Sequence, residues 1–482
     1  MVSAQIKNQH LLWRAGFGPA AEGLNQLSLL SSQDLYAALK KASVKKPGYL
    51  DATDDHFKGL VKGISEEGKR QQMDREGLKM IQQQSRQQIK NLNLMWLNEM
   101  VDSTAQLREK MAFFWHGHFA SRNLNVFYQQ LLLDTIRQHA LGNFRDMLHE
   151  VSKSAAMLFF LNAAQNVKAR PNENFAREVM ELFTLGRGHY TENDIKEAAR
   201  AFTGWSANLK GDFVFRKNLH DEGMKTVLGV KANLSGEDVL DILLEQKQTA
   251  VFITQKIYRF FVNENIDQAK VAYLAERFYK SNYEIGQLMD DIFTSDWFYD
   301  GKNIGVRIKS PIELLAGIRR MLPMEMANEE SQLLLQRLLG QVLFVPPNVA
   351  GWPGGKAWID STTLMYRLRL PLLLNEQDDF SIKPKDDDDL MMGRGDAKTV
   401  SNKQAGFNKT GLQVMVDWKA YASNFLDVPR EKLVQEMSAS LLQVKPSFKT
   451  ETITSYADSR SKESFIRTAT IRMMSTPEYQ LC

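Results

Sequence analysis

The chain has 482 residues and a single cysteine, Cys482. A disulfide within one chain and a thiolate-rich metal centre are therefore both excluded. Any metal ion would have to be held by His, Asp or Glu side chains. No apolar run approaches the ~20 residues that a membrane-spanning helix needs. The first residues, from Met1 to His10, lack the charged and apolar regions of a signal peptide. We therefore predict no membrane span and, from the sequence as it stands, a cytoplasmic location.

Common cofactor and nucleophile motifs are also missing. The sequence has no phosphate-binding loop, no dinucleotide fingerprint, no Gly-x-Ser-x-Gly elbow and no His-Glu-x-x-His pair. The formal net charge of +4 is small for a chain of this length, and we predict no nucleic-acid partner.

Helical periodicity runs through most of the sequence, and it predicts a mainly α fold. We expect one large multi-helix domain with a small β-hairpin excursion near 205–230, where apolar residues such as Trp205 and Val214 alternate with glycines. Helices are predicted over residues 23–42, 65–102, 104–119, 124–141, 143–164, 173–185, 192–203, 236–246, 248–262, 266–280, 284–295, 311–322, 329–342 and 361–374, and from Val414 to the C-terminus. Thr191, with Asp194 three residues later, is the predicted N-cap of the helix over 192–203.

Residues 376–411 differ from the rest in composition. They include the acidic run 386–389 and several glycines, with few large apolar side chains. Such a segment cannot bury enough apolar surface to offset the entropy of ordering. We predict a main helical domain over 1–375, a disordered linker or loop over 376–411, and a C-terminal helical part of the same domain over 412–482.

A polar stripe on the helix predicted over 173–185 is the most informative feature. Asn174, Arg177, Glu178 and Glu181 follow the i, i+3, i+4, i+7 spacing of one helical face. One interpretation is a buried ion-pair network in which Arg177 neutralises a neighbouring carboxylate. The other is a metal-binding or acid–base pair of carboxylates, although the Glu-x-x-His pattern of di-metal bundles is absent.

Two histidines in other segments are further candidates. His118 continues an apolar helical face, so it is either a hydrogen-bonded core residue or a group for metal binding or proton transfer. His220 and Asp221 precede Gly223 in the non-helical excursion. They form either a site element on a loop or a turn in which Asp221 bonds the backbone and Gly223 supplies a positive φ.

Near the N-terminus, His10 and Arg14 lie at i, i+4 on one helical face. The helix is either simply docked through Leu11, Leu12 and Trp13, or it also presents Arg14 as an anion or carboxylate clamp.

Several of these segments together resemble the bacterial family catalogued as domain of unknown function 1800. The matching blocks span nearly the whole chain, which argues against a second, unrelated domain. They are residues 10–19, 109–120, 172–186, 191–205 and 220–229, Lys309-Ser310-Pro311, and residues 346–355 and 476–481. The resemblance implies a helical protein without a settled reaction. It also implies frequent export and a frequent neighbour from the family of domain of unknown function 1501, which resembles sulfatase-like proteins.

These observations lead to two functional hypotheses. The first is an uncharacterised enzyme with a buried polar seam, metal-dependent or acid–base. Its candidate catalytic residues are His118, Arg177, Glu178, Glu181, His220 and Asp221, and a divalent metal ion would be held by His118, Glu178, Glu181 and His220. The second is a non-catalytic partner or assembly factor for a sulfatase-like protein, in which the same residues form structural ion pairs.

Overall fold

In a computed structural model, residues 2–55, 57–58, 75–208, 210–375 and 414–482 are described. Helices dominate these residues, which confirms the prediction of a mainly α fold. The predicted linker over 376–411 lies outside the described residues. None of the described helices is long and apolar enough to cross a membrane.

The helices before the hairpins are α1 (Ala4–Arg14), α2 (Ser32–Val44), α3 (Arg75–Asp102), α4 (Gln106–His118), α5 (Val126–His139), α6 (Phe144–Lys153), α7 (Ala155–Phe160), α8 (Asn174–Glu178), which continues as a π-helix (Val179–Thr184), and α9 (Glu192–Ala201).

The later helices are α10 (Gly236–Glu245), α11 (Lys247–Phe261), α12 (Gln268–Lys280), α13 (Ile285–Phe293), α14 (Pro311–Met321), α15 (Ser331–Leu339), α16 (Ser361–Asn375), α17 (Trp418–Ala422), α18 (Leu433–Leu441), α19 (Thr450–Tyr456) and α20 (Lys462–Met474).

Side-chain caps set several of these boundaries. The predicted cap at Thr191 is confirmed: its hydroxyl accepts from the backbone N–H of Asp194, whose carboxylate accepts from Thr191 in return. The helix predicted over 143–164 instead breaks at Ser154, because the extended backbone there ends α6 and the Ser154 hydroxyl caps α7.

The predicted β excursion consists of two hairpins. Strand β1 (Trp205–Ala207) pairs with β2 (Phe213–Phe215), and β3 (Lys225–Val227) pairs with β4 (Val230–Ala232), both antiparallel. A third antiparallel pair joins β5 (Met324–Met326) to β6 (Val414–Val416). The sequence prediction of helix from Val414 onward was therefore wrong for the first three residues. The reason is tertiary: their partner strand lies after α14.

The described residues form two hydrophobic cores that meet at α14. The larger contains apolar side chains of α1 to α13, and the smaller contains those of α14 to α20 together with residues near Leu24. On α14, Ile312 and Ala316 belong to the first core, while Leu314 and Ile318 belong to the second. This helix therefore faces both cores, and its acidic residue Glu313 is fully buried.

Candidate functional site

The helix with the polar stripe changes geometry in the middle. It is α-helical up to Glu178 and π-helical over Val179–Thr184, where the Thr184 hydroxyl donates to the carbonyl of Val179 at 2.7 Å. A π-turn is wider than an α-turn, so the 3.6-residue spacing behind the predicted stripe does not continue to Glu181. Short π-helical segments often occur at functional sites, and the sequence pattern gave no sign of this one.

The ion pairs of the stripe also differ from the expectation. Arg177 donates to Glu192 at 2.9 and 2.7 Å and to Glu173 at 3.2 Å. Its side chain is 34% exposed, and Asn174 is exposed as well. The interpretation of a buried ion-pair network was therefore wrong about burial but right that Arg177 neutralises a carboxylate and ties neighbouring helices. Arg177 ties the start of α8 to the start of α9 at the surface.

Glu178 and Glu181 are half-buried, and their environments differ. Glu181 accepts a hydrogen bond from the Tyr190 hydroxyl at 2.6 Å and another from Arg187. These bonds, with that from Tyr190 as the largest cause, lower the pKa of Glu181. Burial and the nearby charge of Glu181 raise the pKa of Glu178. The two carboxylates are therefore shifted in opposite directions.

His118 packs among aromatic rings, including those of Phe114 and Trp115. Its Nδ1 lies 3.0 Å from Nζ of Lys256, and its Nε2 lies 3.3 Å from the carbonyl oxygen of Phe183. Since the ammonium can only donate, the geometry assigns an accepting Nδ1 and a protonated Nε2. Burial and the charge of Lys256 hold the pKa of His118 well below its usual range.

Lys256, on α11, is the residue of this group that sequence reasoning missed. Its ammonium also donates to the carbonyl of Leu182 at 3.0 Å, so it joins His118 to the π-helix. Burial lowers its pKa to about 8. One signal was available in the sequence, because Phe252 and Phe260 stand four residues before and after Lys256, which places a cation on an apolar helical face.

His220 and Asp221 contact α9 and the turn that follows it. His220 Nδ1 lies 2.9 Å from the carbonyl oxygen of Thr203, and Asp221 accepts from Arg200 at 2.8 and 3.2 Å. The hydrogen bond from Arg200 is the largest cause of the lowered pKa of Asp221.

The turn interpretation of this loop was half right. Asp221 accepts from the N–H of Gly223 at 2.8 Å, but Gly223 is not among the residues of positive φ. A Cβ on Gly223 would lie 2.8 Å from the Arg200 guanidinium, so a larger residue would require the Arg200 side chain to shift.

An open cleft of about 730 Å³ lies beside this loop. Its lining residues are Lys168, Lys217, Asn218, His220, Asp221 and Glu222. His118, Glu178 and Glu181 are not among them. The predicted site residues thus fall into two groups: His118 against the π-helix that follows Glu178, and His220 with Asp221 at the cleft.

The predicted metal ligands do not form a cluster in the structure. Among the ranges that the structure describes, no group of three or more His, Cys, Asp or Glu side chains is arranged to hold a metal ion. Both nitrogens of His118 are engaged, one by Lys256 and the other by Phe183. A metal ion needs an imidazole lone pair, so His118 would have to release Lys256 to act as a ligand.

A buried polar seam does exist, but the stripe is not part of it. Lys110 and Glu313 form an ion pair of 2.5 Å in which both side chains are fully buried. Arg14, Lys309 and Arg367 are also fully buried, and Arg307 nearly so. The placement of Arg14 shows that α1 is docked as predicted, with Leu11 and Trp13 in the interior. The expectation that the seam contains Glu178 and Glu181 was wrong.

Comparison with family models gives one match, over residues 10–481, to a family described as a protein of unknown function, DUF1800. The chain belongs to the DUF1800 family. Because the match covers nearly the whole chain, both hydrophobic cores of this DUF1800 protein lie within one family region. No curated protein and no solved structure matches it.

Proposed function

We propose that this DUF1800 protein is an enzyme that uses general acid–base catalysis at Glu178 and Glu181. The opposite pKa shifts of these two carboxylates carry the proposal. Acid and base roles at one site are commonly divided between two titratable groups whose environments move their pKa values apart. The two residues are close in sequence, half-buried, and stand at an α-to-π transition.

The roles follow from the direction of each shift. Glu178 keeps its proton to a higher pH and is the general acid that protonates a leaving group. Glu181 stays ionised, because Tyr190 and Arg187 stabilise its charge, and it serves as the base that accepts a proton from the attacking group. The reaction class is bond cleavage in a polar substrate by paired carboxylates.

His118 and Lys256 are positioning residues in this proposal. Together they hold the carbonyls of Leu182 and Phe183, which belong to the same π-helix as Glu181. Arg177 has a similar role at the other end, because its bonds to Glu173 and Glu192 fix α8 against α9. His220 and Asp221 line the separate open cleft and have no role in the proposed acid–base step.

A metal-dependent form of the site would require different contacts for His118. Glu178 and Glu181 are suitable oxygen ligands for a divalent ion, but His118 would have to exchange Lys256 for the metal. Titration of the purified protein with Mn²⁺ or Zn²⁺, followed by the change in unfolding midpoint, tests this form. A saturable rise that Glu178→Gln abolishes would favour it over simple acid–base catalysis.

The order of the two pKa values can be measured without a substrate. Carbodiimide reacts with protonated carboxyl groups, so mass spectrometry of protein modified at a series of pH values reports each residue separately. We expect Glu178 to remain reactive to a higher pH than Glu181. In Tyr190→Phe, Glu181 should remain reactive to a higher pH than it does in the wild type. Equal profiles for the two residues would remove the basis of the proposal.

Activity is tested with a panel of chromogenic esters, glycosides, phosphate monoesters and sulfate monoesters. Glu178→Gln and Glu181→Gln should each abolish a turnover that the wild type shows. Glu276→Gln is the matched control, because it removes a carboxylate from an exposed ion pair on α12 without touching Tyr190, Arg187 or Arg177. Full activity in both site variants would contradict the assigned roles.

The non-catalytic hypothesis predicts another outcome for the same variants. If the protein is an assembly partner for a sulfatase-like protein of the DUF1501 family, capture of that partner from a co-expressing cell should not depend on Glu178 or Glu181. Stable capture together with no turnover on the panel would favour this alternative.

A further inference from the structure

The buried polar seam contains more positive than negative charge. We call its seven members the Glu313 cluster. They are Arg14, Lys110, Arg307, Lys309, Glu313, Arg367 and the main chain at Cys482. Five of them are cationic side chains, none more than 7% exposed. Against these stand Glu313, the negative charge at Cys482 and, from the surface, the exposed Glu264, all of which act on Arg14.

The carboxylate of Glu313 interacts electrostatically with all five cations. Its carboxylate lies 2.5 Å from Nζ of Lys110 and 3.7 Å from Nη1 of Arg307. Its charge also acts on Arg14, Lys309 and Arg367. One carboxylate has four acceptor positions at most, so it cannot satisfy five cations.

Several guanidinium donors in the cluster have no acceptor. Arg14 donates through one nitrogen only, to the carbonyls of Asn303 at 3.0 Å and Cys482 at 2.9 Å. Its Nε and Nη1 have no hydrogen-bond partner within the described part of the chain, and the same holds for Nη1 of Arg307 and for Nε and Nη2 of Arg367. A buried donor without an acceptor is costly, and a buried charge without a partner more so.

The cluster relieves its excess charge in part through lowered pKa values. Burial is the largest cause that lowers the pKa of Lys309 to about 7; the charges of Arg367 and Lys110 act in the same direction, and those at Cys482 and Glu313 oppose it. Burial likewise is the largest cause that lowers the pKa of Arg14 to about 10, and Arg307 acts in the same direction. An additional anion would raise both pKa values and favour the charged form of Lys309.

We propose that the Glu313 cluster binds a small tetrahedral oxyanion, phosphate or sulfate, through the free guanidinium donors of Arg14 and Arg307, with Arg367 as a third cation. Guanidinium groups match such oxyanions in both charge and hydrogen-bond geometry. The burial of the cluster selects a free inorganic ion over a phosphate or sulfate group attached to a larger molecule. The site is independent of Glu178 and Glu181, so either proposal can fail alone.

The anion would link parts of the chain that are distant in sequence. Arg14 ends α1, Arg307 precedes α14, and Arg367 lies in α16. Arg367 also donates to the carbonyl of Lys309 at 2.9 Å, and Lys309 donates to the carbonyl of Tyr479 at 2.6 Å. A bound oxyanion would therefore stabilise the junction between the two cores.

The test uses the full chain in a chloride buffer without phosphate or sulfate. Unfolding midpoints are measured against inorganic phosphate, inorganic sulfate, and sodium chloride of matched ionic strength. A saturable rise with phosphate or sulfate, and none with chloride, is expected from binding to the folded state alone. Ion chromatography of denatured wild-type protein, purified without either ion in the buffers, should also detect about one retained anion per chain.

Variants locate the site. Arg14→Met and Arg307→Gln should each weaken the anion response by at least ~10-fold. Arg137→Met is the matched control: Arg137 is equally buried, but its guanidinium is paired with Glu109 and Glu99, so the anion response should persist. If Arg14→Met does not fold, the anion response of Arg307→Gln and the wild-type measurements decide whether the cluster binds the anion. Absence of both a retained anion and an anion-specific rise in the wild type would overturn the proposal.

Discussion

Replacing Glu313 by glutamine should be one of the most destabilising conservative changes in this protein. The variant removes one negative charge from a carboxylate that is fully buried and paired with Lys110 at 2.5 Å. Removing one partner of a buried ion pair typically costs ~3–5 kcal/mol, because the other charge is left buried and uncompensated.

The choice of glutamine isolates the charge. Glu313 also completes a capping box at the start of α14, where its carboxylate accepts from the N–H of Ser310 at 2.8 Å. Glutamine can make the same bond, so the ~1 kcal/mol of a lost cap does not contribute to the effect. Arg307, 3.7 Å away, would lose its nearest anion as well, which favours the upper part of the range.

The assay is chemical denaturation with a matched surface control. Glu192→Gln also removes a carboxylate from an ion pair, but the side chains of that pair are 34% and 68% exposed, so ~0–1 kcal/mol is expected. In the double variant with Lys110→Met, the cost should be smaller than the sum of the two single changes. A cost for Glu313→Gln no larger than that for Glu192→Gln would refute the reasoning.

The pH dependence gives a second check on the same residue. Burial alone would raise the pKa of Glu313, but the charges of Lys110 and Arg307 outweigh it and hold the pKa below the usual 4.5. The folded state thus binds this proton less readily than the unfolded state. Its contribution is fully present above about pH 4.5 and is lost as the pH falls through the folded pKa. The stability difference between wild type and Glu313→Gln should therefore shrink in acid.

Two further predictions concern the candidate site. Arg177→Ala should cost at most ~1 kcal/mol in the same denaturation assay, because its partners are exposed; a loss as large as that for Lys110→Met would mean that the stripe is buried in solution. For Lys256 the folded pKa of about 8 lies below the usual 10.5, so the unfolded state binds more protons between these values and stability should rise with pH across that window. Lys256→Gln should lose this rise of stability with pH, whereas Lys247→Gln, a change at an exposed residue of the same helix, should keep it. Identical pH profiles for the two variants would contradict the assigned environment of Lys256.

The sequence predicted the fold better than it predicted the site. Helical periodicity and caps are local signals, and the cap at Thr191 appears as expected. The strand β6 was missed because its partner β5 is nearly ninety residues earlier, before the residues that the structure leaves undescribed. The π-turn after Glu178 was missed because the sequence pattern was read with an α-helical period, and its actual geometry depends on contacts from α11 such as that of Lys256.

Burial of the charged residues was the hardest feature to predict. The sequence predicted a buried stripe with Arg177 and two glutamates, yet Arg177 pairs with exposed partners and both glutamates are only half-buried. Lys110 and Glu313 look in sequence like ordinary surface residues, and they are fully buried. No feature of the local sequence distinguishes the charges that are buried from those that are exposed, because a charge is buried where other segments supply its partners. Among the cations of the Glu313 cluster, Arg14 is the one for which the sequence analysis considered a role, as an anion or carboxylate clamp.

The position of the cluster explains why so many charges are kept inside. An apolar layer of the same size is often as stable as a buried ion pair or more so, so stability alone does not account for Lys110 and Glu313. The cluster lies where α14 faces both cores, and its members come from both ends of the chain. Apolar surfaces would allow these segments to shift relative to each other. Directional hydrogen bonds, such as that from the Lys309 ammonium to the carbonyl of Tyr479, are satisfied in one arrangement only. If the cluster fixes the arrangement of the cores, replacing Lys110 and Glu313 together by Met and Leu should cost less stability than the sum of the two single changes and should broaden the unfolding transition. A transition as sharp as that of the wild type would contradict this role.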